Sequence, residues 1–155
     1  PFWGRFWDNP SLSASEKKFM VYARQTAHAH LSAMKGADFG LIHADALQEN
    51  VFQTKSGLTL IDFDDAGFGY RSYDLGVCVS QHYAAGHLKD LIAAVAEGYG
   101  TLRKAPSIDD IKFFLMLRGL ASCGWVIARQ PKKSPVQRRY AERALHLAHQ
   151  WLTTA

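Results

Sequence analysis

The sequence predicts a mainly α fold that contains one small β-hairpin. Five segments repeat apolar residues at the intervals of an amphipathic helix, and one central stretch has β-branched and aromatic residues on both sides of a glycine-containing turn. With 155 residues, 48% of them hydrophobic, the chain is long enough to bury one core. We therefore expect residues 1–155 to form a single domain.

Capping residues and helix breakers separate the predicted helices. Ser13 and Glu16 have the spacing of a capping box before the first helix, and Gly36 follows its end. Serine also precedes the last two helices, at Ser107 and Ser134. The opening segment PFWGRFWDNP is aromatic and rich in turn formers, so we expect irregular packed structure there. The five helices are predicted at about residues 14–35, 72–83, 88–102, 108–129 and 135–152.

Composition argues against several classes of partner. The formal charge of +4 comes from 18 basic and 14 acidic residues. A solvated helix face explains this modest bias more simply than a patch for anionic ligands, so nucleic acid is not an expected partner. No uninterrupted apolar run approaches the ~20 residues that a membrane span needs, so no membrane association is expected. Cys78 and Cys123 lie far apart in apolar segments, which predicts free, buried thiols in a reducing, cytoplasmic compartment.

Polar residues interrupt the apolar runs of the central stretch, GLIHADALQENVFQTKSGLTLIDFDDAGFG, at residues 40–69. If its hairpin turns at Ser56, antiparallel pairing brings Asn50 and Asp62 to the same open end. An amide oxygen and a carboxylate are hard oxygen ligands of the kind that Mg²⁺ prefers. The stretch therefore predicts a magnesium site at the open end of the hairpin.

Three further residues of this stretch are candidate site residues. Asp45 reaches the open end if residues 46–49 form a loop, and His43 shares its face only if this short piece is extended. Phosphoryl transfer needs a carboxylate that accepts or orients the proton of the acceptor hydroxyl, and Asp45 fits that role. Asp64 is a candidate contact for a second metal or for the substrate, with a turn-stabilising carboxylate as the alternative.

The spacing His43-x-Asp45-x-x-x-x-Asn50 is that of the catalytic loop shared by protein kinases and their relatives, and the segment IDFD at residues 61–64 is similar to their metal-binding segment. Together, IHADALQENVF and LIDFDDAGFGYRSYDL resemble the aminoglycoside phosphotransferase and choline kinase type of small-molecule kinase. The resemblance implies that Asp45 is the catalytic base, that Asn50 and Asp62 hold Mg²⁺, and that His43 braces the catalytic loop.

The same resemblance implies the fold, which is the helical C-terminal lobe of a protein-kinase-like α+β fold. Asp74, in the segment YDL, matches a family position that supports the site from the start of a helix. Kinases of this fold clamp ATP with a glycine-rich hairpin and a strand lysine of the N-terminal lobe. Nothing before His43 matches either feature. The N-terminal lobe is therefore expected to be absent from this chain, which alone should be a weak or inactive enzyme.

The predicted function is that of an ATP-dependent phosphotransferase lobe, which moves the γ-phosphoryl group to a hydroxyl of a small hydroxylated or aminated molecule. Its predicted cofactors are Mg²⁺ and ATP, and its partners are that substrate, the nucleotide and the missing lobe. Two alternatives remain, a catalytically incomplete kinase-like binding or scaffold module and a metal-dependent hydrolase that uses His43 and the aspartates. The face where the other lobe docks predicts an exposed apolar patch, which favours homo-oligomers. No motif fixes the acceptor.

Overall fold

The computed structural model describes residues 4–154. These residues form five α-helices and four short β-strands, which pair as two antiparallel two-stranded sheets. This confirms the predicted fold class, mainly α with a small β-hairpin. The helices are α1 Ala14–Ala33, α2 Arg71–Val79, α3 Leu88–Gly100, α4 Ile108–Trp125 and α5 Pro135–Thr154. The strands are β1 Phe39–Ile42, β2 Val51–Thr54, β3 Gly57–Leu60 and β4 Gly67–Tyr70.

The predicted helices agree with the observed ones except near their ends. Helices α2 and α4 end earlier than predicted, and the 3-10 turns Ser80–His82 and Val126–Ala128 continue them. A 3-10 turn uses the same residue types as the last turn of an α-helix, so the sequence alone does not separate the two. Within the predicted irregular opening segment, Phe6–Asp8 form a 3-10 turn, while residues 1–3 lie outside the described residues.

Strands β1 and β4 form a ribbon that the sequence analysis did not predict. Three positions of these strands are glycines: Gly40, Gly67 and Gly69. Because glycine has no side chain, the alternation of apolar and polar residues that identifies a strand is not visible there. A Cβ at Gly40 would overlap the guanidinium of Arg71, so a larger residue there would displace that side chain.

Two compact units divide the chain, one formed by the residues up to Gly36 with those from Met116 onward, the other by Ala37–Leu115. The single domain over residues 1–155 stays a prediction.

In the first unit, the predicted capping box is present at the start of α1. The backbone N–H of Ser13 donates to Glu16 Oε2 at 2.7 Å, and the N–H of Glu16 donates to Ser13 Oγ at 3.3 Å.

Arg138 of α5 binds the carboxylate of this capping box with both terminal nitrogens. The two nitrogens lie 2.9 and 3.0 Å from the oxygens of Glu16. These hydrogen bonds, helped by the bond from the Ser13 backbone, hold the pKa of Glu16 at about 2. The ion pair therefore ties the start of α1 to α5 within this unit.

The two cysteines are free, as predicted, but only Cys123 is buried. Burial raises the pKa of its thiol to about 12, and Asn9 Nδ2 donates to its carbonyl oxygen at 2.9 Å. The predicted burial of Cys78 is wrong, because this residue is exposed. Helix α2 instead buries Val77 and Val79, and position 78 lies outside the buried face.

Residues Ile108–Ala128, which comprise α4 and the turn after it, are long and apolar enough to cross a membrane by length and composition alone. However, 56% of the most apolar stretch is buried inside the protein. The buried core helix of a protein that never enters a membrane can be equally long and equally apolar.

Helix α2 of the second unit makes a close backbone contact at Gly76. A Cβ at this position would lie 2.6 Å from the nitrogen of Leu115 and 2.7 Å from the carbonyl carbon of Phe114. Backbone atoms of a helix do not move aside at low cost, so glycine is required here. The contact fixes the helix whose side chains hold the candidate site.

We expect Gly76→Ala to lower the free energy of unfolding by about 1–3 kcal/mol, because the added methyl group overlaps the backbone of α4. Gly98→Ala in α3 is the matched control, since a Cβ there meets nothing within 4 Å. Alanine at that position should be neutral or stabilise the helix by up to about 1 kcal/mol. Urea unfolding of both variants measures the difference, and equal midpoints would contradict the packing argument.

Candidate active site

The candidate site is built on the loop between β1 and β2, residues 43–50, which we call the site loop. Asp74 in the first turn of α2 anchors the start of this loop. Its Oδ2 accepts a hydrogen bond from the N–H of His43 at 2.7 Å, and its Oδ1 accepts one from the N–H of Ala44 at 2.8 Å. One carboxylate thus binds two consecutive backbone donors.

These two bonds explain how the loop holds an unfavourable backbone conformation. Ala44 has φ +66°, in the left-handed region that costs an L-residue roughly 1–2 kcal/mol. A hydrogen bond to a charged group contributes about 1.5–3 kcal/mol, so two bonds to Asp74 outweigh the strain. The turn at Ala44 therefore depends on the carboxylate of Asp74.

The ring of His43 connects the site loop to the end of the hairpin. Its Nε2 lies 2.8 Å from the carbonyl oxygen of Ile61, and because a carbonyl only accepts, Nε2 must carry the proton. Nδ1 then accepts from the N–H of Asp45 at 3.3 Å. The ring is 4% exposed and packs against Phe63, with 4.5 Å between ring centroids. Both ring nitrogens bind backbone groups, an arrangement that suits bracing and not proton transfer.

Asn50 ends a 3-10 turn, Gln48–Asn50, and is 7% exposed. Its Nδ2 donates to the carbonyl oxygen of Asp45 at 2.9 Å and to Oδ2 of the same residue at 3.2 Å. Because the amide nitrogen makes both bonds, Oδ1 of Asn50 stays available to a cation. The structure thus brings Asp45 and Asn50 together, as the sequence analysis expected.

Asp62 lies next to this pair, but the hairpin register differs from the predicted one by one residue. Val51 pairs with Leu60, and the N–H of Ile61 donates to the carbonyl oxygen of Asn50 at 3.1 Å. Asn50 therefore faces Ile61 and not Asp62. The turn is two residues long, so its centre lies between residues 55 and 56 and not at 56. Asp62 has φ +63° and is exposed, and it follows Ile61, the residue that is bonded to Asn50.

Asp64 is exposed in the turn between β3 and β4. The N–H of Ala66 donates to the carbonyl oxygen of Phe63 at 3.0 Å and closes this turn. Among residues 4–154, no group of three or more His, Cys, Asp or Glu side chains is gathered as a metal site. An amide oxygen of Asn50 with the carboxylate of Asp62 still suits Mg²⁺, which keeps several waters and takes few protein ligands beside substrate phosphates.

A cluster around Asp38, which the sequence analysis missed, fixes the strand that leads into the site loop. The carboxylate of Asp38 accepts from the hydroxyl of Tyr99 at 2.8 Å and pairs with Arg71 at 2.5 Å and Arg103 at 3.4 Å. The Tyr99 hydroxyl, assisted by the guanidinium groups, holds the pKa of Asp38 below its ordinary value. Residues this far apart along the chain share no local sequence signal.

Gln81, also unpredicted, contacts the far end of the site loop. Its Oε1 accepts from the N–H of Gln48 at 3.0 Å, and its Nε2 donates to Glu49 Oε2 at 2.6 Å. The one signal in the sequence is spacing: Gln81 follows Asp74 by seven residues, which is two turns of an α-helix.

The helices and the two small antiparallel sheets of the described residues match a protein-kinase-like fold. The chain belongs to the phosphotransferase enzyme family, APH, whose family model matches residues 5–111. This confirms the resemblance that the motifs of the central stretch indicate. A search of curated proteins found no match.

Two solved structures are similar to this chain. The structure of the microcompartment-associated aminopropanol kinase superposes with a TM-score of 0.87 and 29% sequence identity, covering 99% of this chain and 50% of the kinase. Amicoumacin kinase hAmiN, in complex with AMP-PNP, Ca²⁺ and Ami, superposes with a TM-score of 0.68 and 14% identity, covering 98% of this chain and 49% of that protein. The second likeness supports the fold alone. The chain spans about half the length of each kinase.

We expect Asp74→Asn to destabilise the site loop by about 1–3 kcal/mol, because the asparagine side chain accepts only one of the two backbone bonds and leaves one donor unsatisfied. The amides of His43 and Ala44 should then exchange faster with solvent. Asp90→Asn is the matched control, since Asp90 is an exposed residue in the first turn of α3. Amide exchange followed by NMR measures both variants, and equal protection in the two would remove the anchoring role from Asp74.

Proposed function

We propose that this chain carries the catalytic and metal-binding groups of an ATP-dependent phosphotransferase that acts on a hydroxyl of a small molecule. The observation that carries this proposal is the bonded set of the site loop and the hairpin. Asp45 and Asn50 are joined through the Asn50 amide, and Asp62 follows directly on the residue paired with Asn50. Membership of the phosphotransferase family supports the reaction class.

In the proposed reaction, Asp45 accepts the proton of the acceptor hydroxyl while the oxygen of that hydroxyl forms a bond to the γ-phosphorus. The bond from that phosphorus to the bridging oxygen breaks, and ADP leaves with the electron pair. The carboxylate of Asp45 is half-buried and held by Asn50 at 3.2 Å, so it is oriented before substrate arrives. His43 braces the loop through backbone bonds and takes no proton.

Asn50 and Asp62 are the proposed Mg²⁺ ligands, and Asp64 is a third proposed contact. When bound, the metal neutralises charge on the transferred phosphate. The residues themselves supply the amide of Asn50, a buried residue, and the carboxylates of Asp62 and Asp64, which are exposed to solvent.

The acceptor is proposed to be a small hydroxylated or aminated molecule. The similar structure of an aminopropanol kinase makes amino alcohols the first compounds to assay. ATP is the proposed phosphoryl donor, which the kinase family implies.

A nucleotide-clamping lobe is a further proposed partner. Large apolar side chains of the β2–β3 hairpin are between 41% and 75% exposed: Phe52, Leu58, Leu60 and Ile61. Leu58 and Leu60 lie on one face of the hairpin and Phe52 on the other, because Phe52 pairs with Thr59. Exposed leucines on one face are typical of a surface that another domain or a second copy covers. A cytoplasmic location, as the free thiols suggest, is proposed as well.

The second candidate is a kinase-like binding or scaffold module without catalysis. It differs from the first candidate in one measurable way, since it predicts ligand binding without turnover. Substitution of Asp45 in the full-length protein separates the two candidates.

We expect Asp45→Asn in that polypeptide to lower kcat for amino alcohol phosphorylation by about 10²- to 10⁴-fold, the range for loss of a general base. Asp90→Asn, exposed on α3, should retain the wild-type rate. Coupled measurement of ADP release follows both variants. An Asp45→Asn variant with wild-type turnover would exclude Asp45 as the base, and a polypeptide that binds nucleotide without turnover would favour the scaffold candidate.

We expect Asn50→Ala and Asp62→Ala each to weaken Mg²⁺ binding by about tenfold or more, a change of about 1.4 kcal/mol, because each removes one oxygen ligand. Calorimetric titration of Mg²⁺ into the polypeptide saturated with a non-hydrolysable ATP analogue measures the affinity. Asp65→Ala, exposed in the same turn as Asp64, is the matched control, and Asp64→Ala tests the third contact. Unchanged affinity in Asp62→Ala would remove that residue from the metal site.

A further inference from the structure

We propose that Gln81 is a positioning residue, which holds the turn that presents Asn50 to the metal. This inference rests on the proposed function of Asn50 as an Mg²⁺ ligand. Gln81 lies in the 3-10 turn Ser80–His82, which continues α2, and it is exposed. It therefore acts through two polar contacts and contributes little to the core.

The two contacts of Gln81 form a bidentate clamp. Its amide oxygen accepts from the backbone N–H of Gln48 at 3.0 Å, and its amide nitrogen donates to the carboxylate of Glu49 at 2.6 Å. The partners fix the orientation of the amide, because a backbone N–H only donates and a carboxylate only accepts. Both ends of the side chain are thus satisfied by consecutive residues of the site loop.

The clamped residues are the first two of the turn that ends in Asn50. This turn is a single 3-10 turn of three residues, and isolated 3-10 turns have poor hydrogen-bond geometry and little stability of their own. The N–H of Asn50 donates to the carbonyl oxygen of Leu47 at 2.9 Å, so the position of Asn50 depends on the residues before it. An outside attachment at Gln48 and Glu49 therefore limits how far Asn50 moves.

The clamp is the second of two attachments of the site loop, one to α2 and one to the 3-10 turn that continues it. Asp74 holds the first residues of the loop, His43 and Ala44, and Gln81 holds the residues just before Asn50. Seven residues separate Asp74 from Gln81, or about 10 Å at the rise of an α-helix. The two attachments fix the loop at both ends, and Asp45 and its bond to Asn50 lie between them.

Removal of the clamp should change metal use more than the chemical step. In the complete polypeptide we expect Gln81→Ala to raise the KM for Mg²⁺ by about 3- to 10-fold, the effect of losing one to two ordinary hydrogen bonds, while kcat at saturating Mg²⁺ changes less than twofold. The Gln48 amide should exchange with solvent correspondingly faster. Gln25→Ala, an exposed glutamine on α1, is the matched control and should match wild type in both measurements.

A double variant that exchanges the amide and the carboxylate between positions 81 and 49 tests the clamp at nearly constant side-chain size. Gln81→Glu alone retains the acceptor for Gln48 but loses the donor and places two carboxylates together, so it should raise the KM for Mg²⁺. Gln81→Glu combined with Glu49→Gln restores the bond between positions 81 and 49 with donor and acceptor exchanged, and the KM and the Gln48 exchange rate should return towards wild type. Rescue of this kind is not expected if Gln81 serves only general stability.

The outcomes separate failure of this inference from failure of the proposed function. A wild-type polypeptide without Mg²⁺-dependent phosphoryl transfer overturns the proposed function and, with it, any role of Gln81 in metal use. An active enzyme whose Gln81→Ala variant keeps the wild-type KM for Mg²⁺, or the wild-type exchange rate of the Gln48 amide, overturns the clamp while the proposed function stands.

Discussion

The site depends on one interaction, the binding of two consecutive backbone N–H groups by the carboxylate of Asp74. Without it, the left-handed conformation of Ala44 would have no compensation, because alanine gains nothing from a positive φ that glycine would adopt freely. Once that turn is fixed, His43 is placed so that its ring reaches Ile61 at 2.8 Å. The anchor on α2 thus determines where the site loop meets the hairpin.

A continuous set of hydrogen bonds then transmits this placement. His43 joins Asp45 to Ile61 through its two ring nitrogens, Ile61 donates to the carbonyl of Asn50, and the amide of Asn50 returns to Asp45. All of these bonds but one use a backbone group, and the exception joins the side chains of Asn50 and Asp45. Such an arrangement holds a carboxylate and an amide oxygen in fixed geometry before any ligand binds, which is what catalysis by positioning requires.

Much of this could be predicted because the signals are local. The caps of α1 and α4 follow from serine with an acidic residue three positions later, and the bonds at Ser13 and at Ser107 are present. The hairpin register failed by one residue because turn length depends on backbone geometry that composition does not encode. The β1–β4 ribbon and the Asp38 cluster were missed because their partners are about 25 or more residues apart. The proximity of Asp45 and Asn50 was predicted because the two residues lie only five positions apart in one short motif.

Helix α2 connects all of these features, since its side chains contact the chain at three successive points. Arg71 binds Asp38 and the Phe39 carbonyl at the start of β1, Asp74 binds the start of the site loop, and Gln81 in the turn after α2 binds the end of that loop. Intervals of three and seven residues place these positions along one side of a helix. The glycine at position 76, among these positions, brings the helix backbone against residues 114 and 115. A helix held in this way sets the path of the strand and loop beside it, so the geometry of Asp45 and Asn50 follows from the packing of α2 as much as from their own sequence.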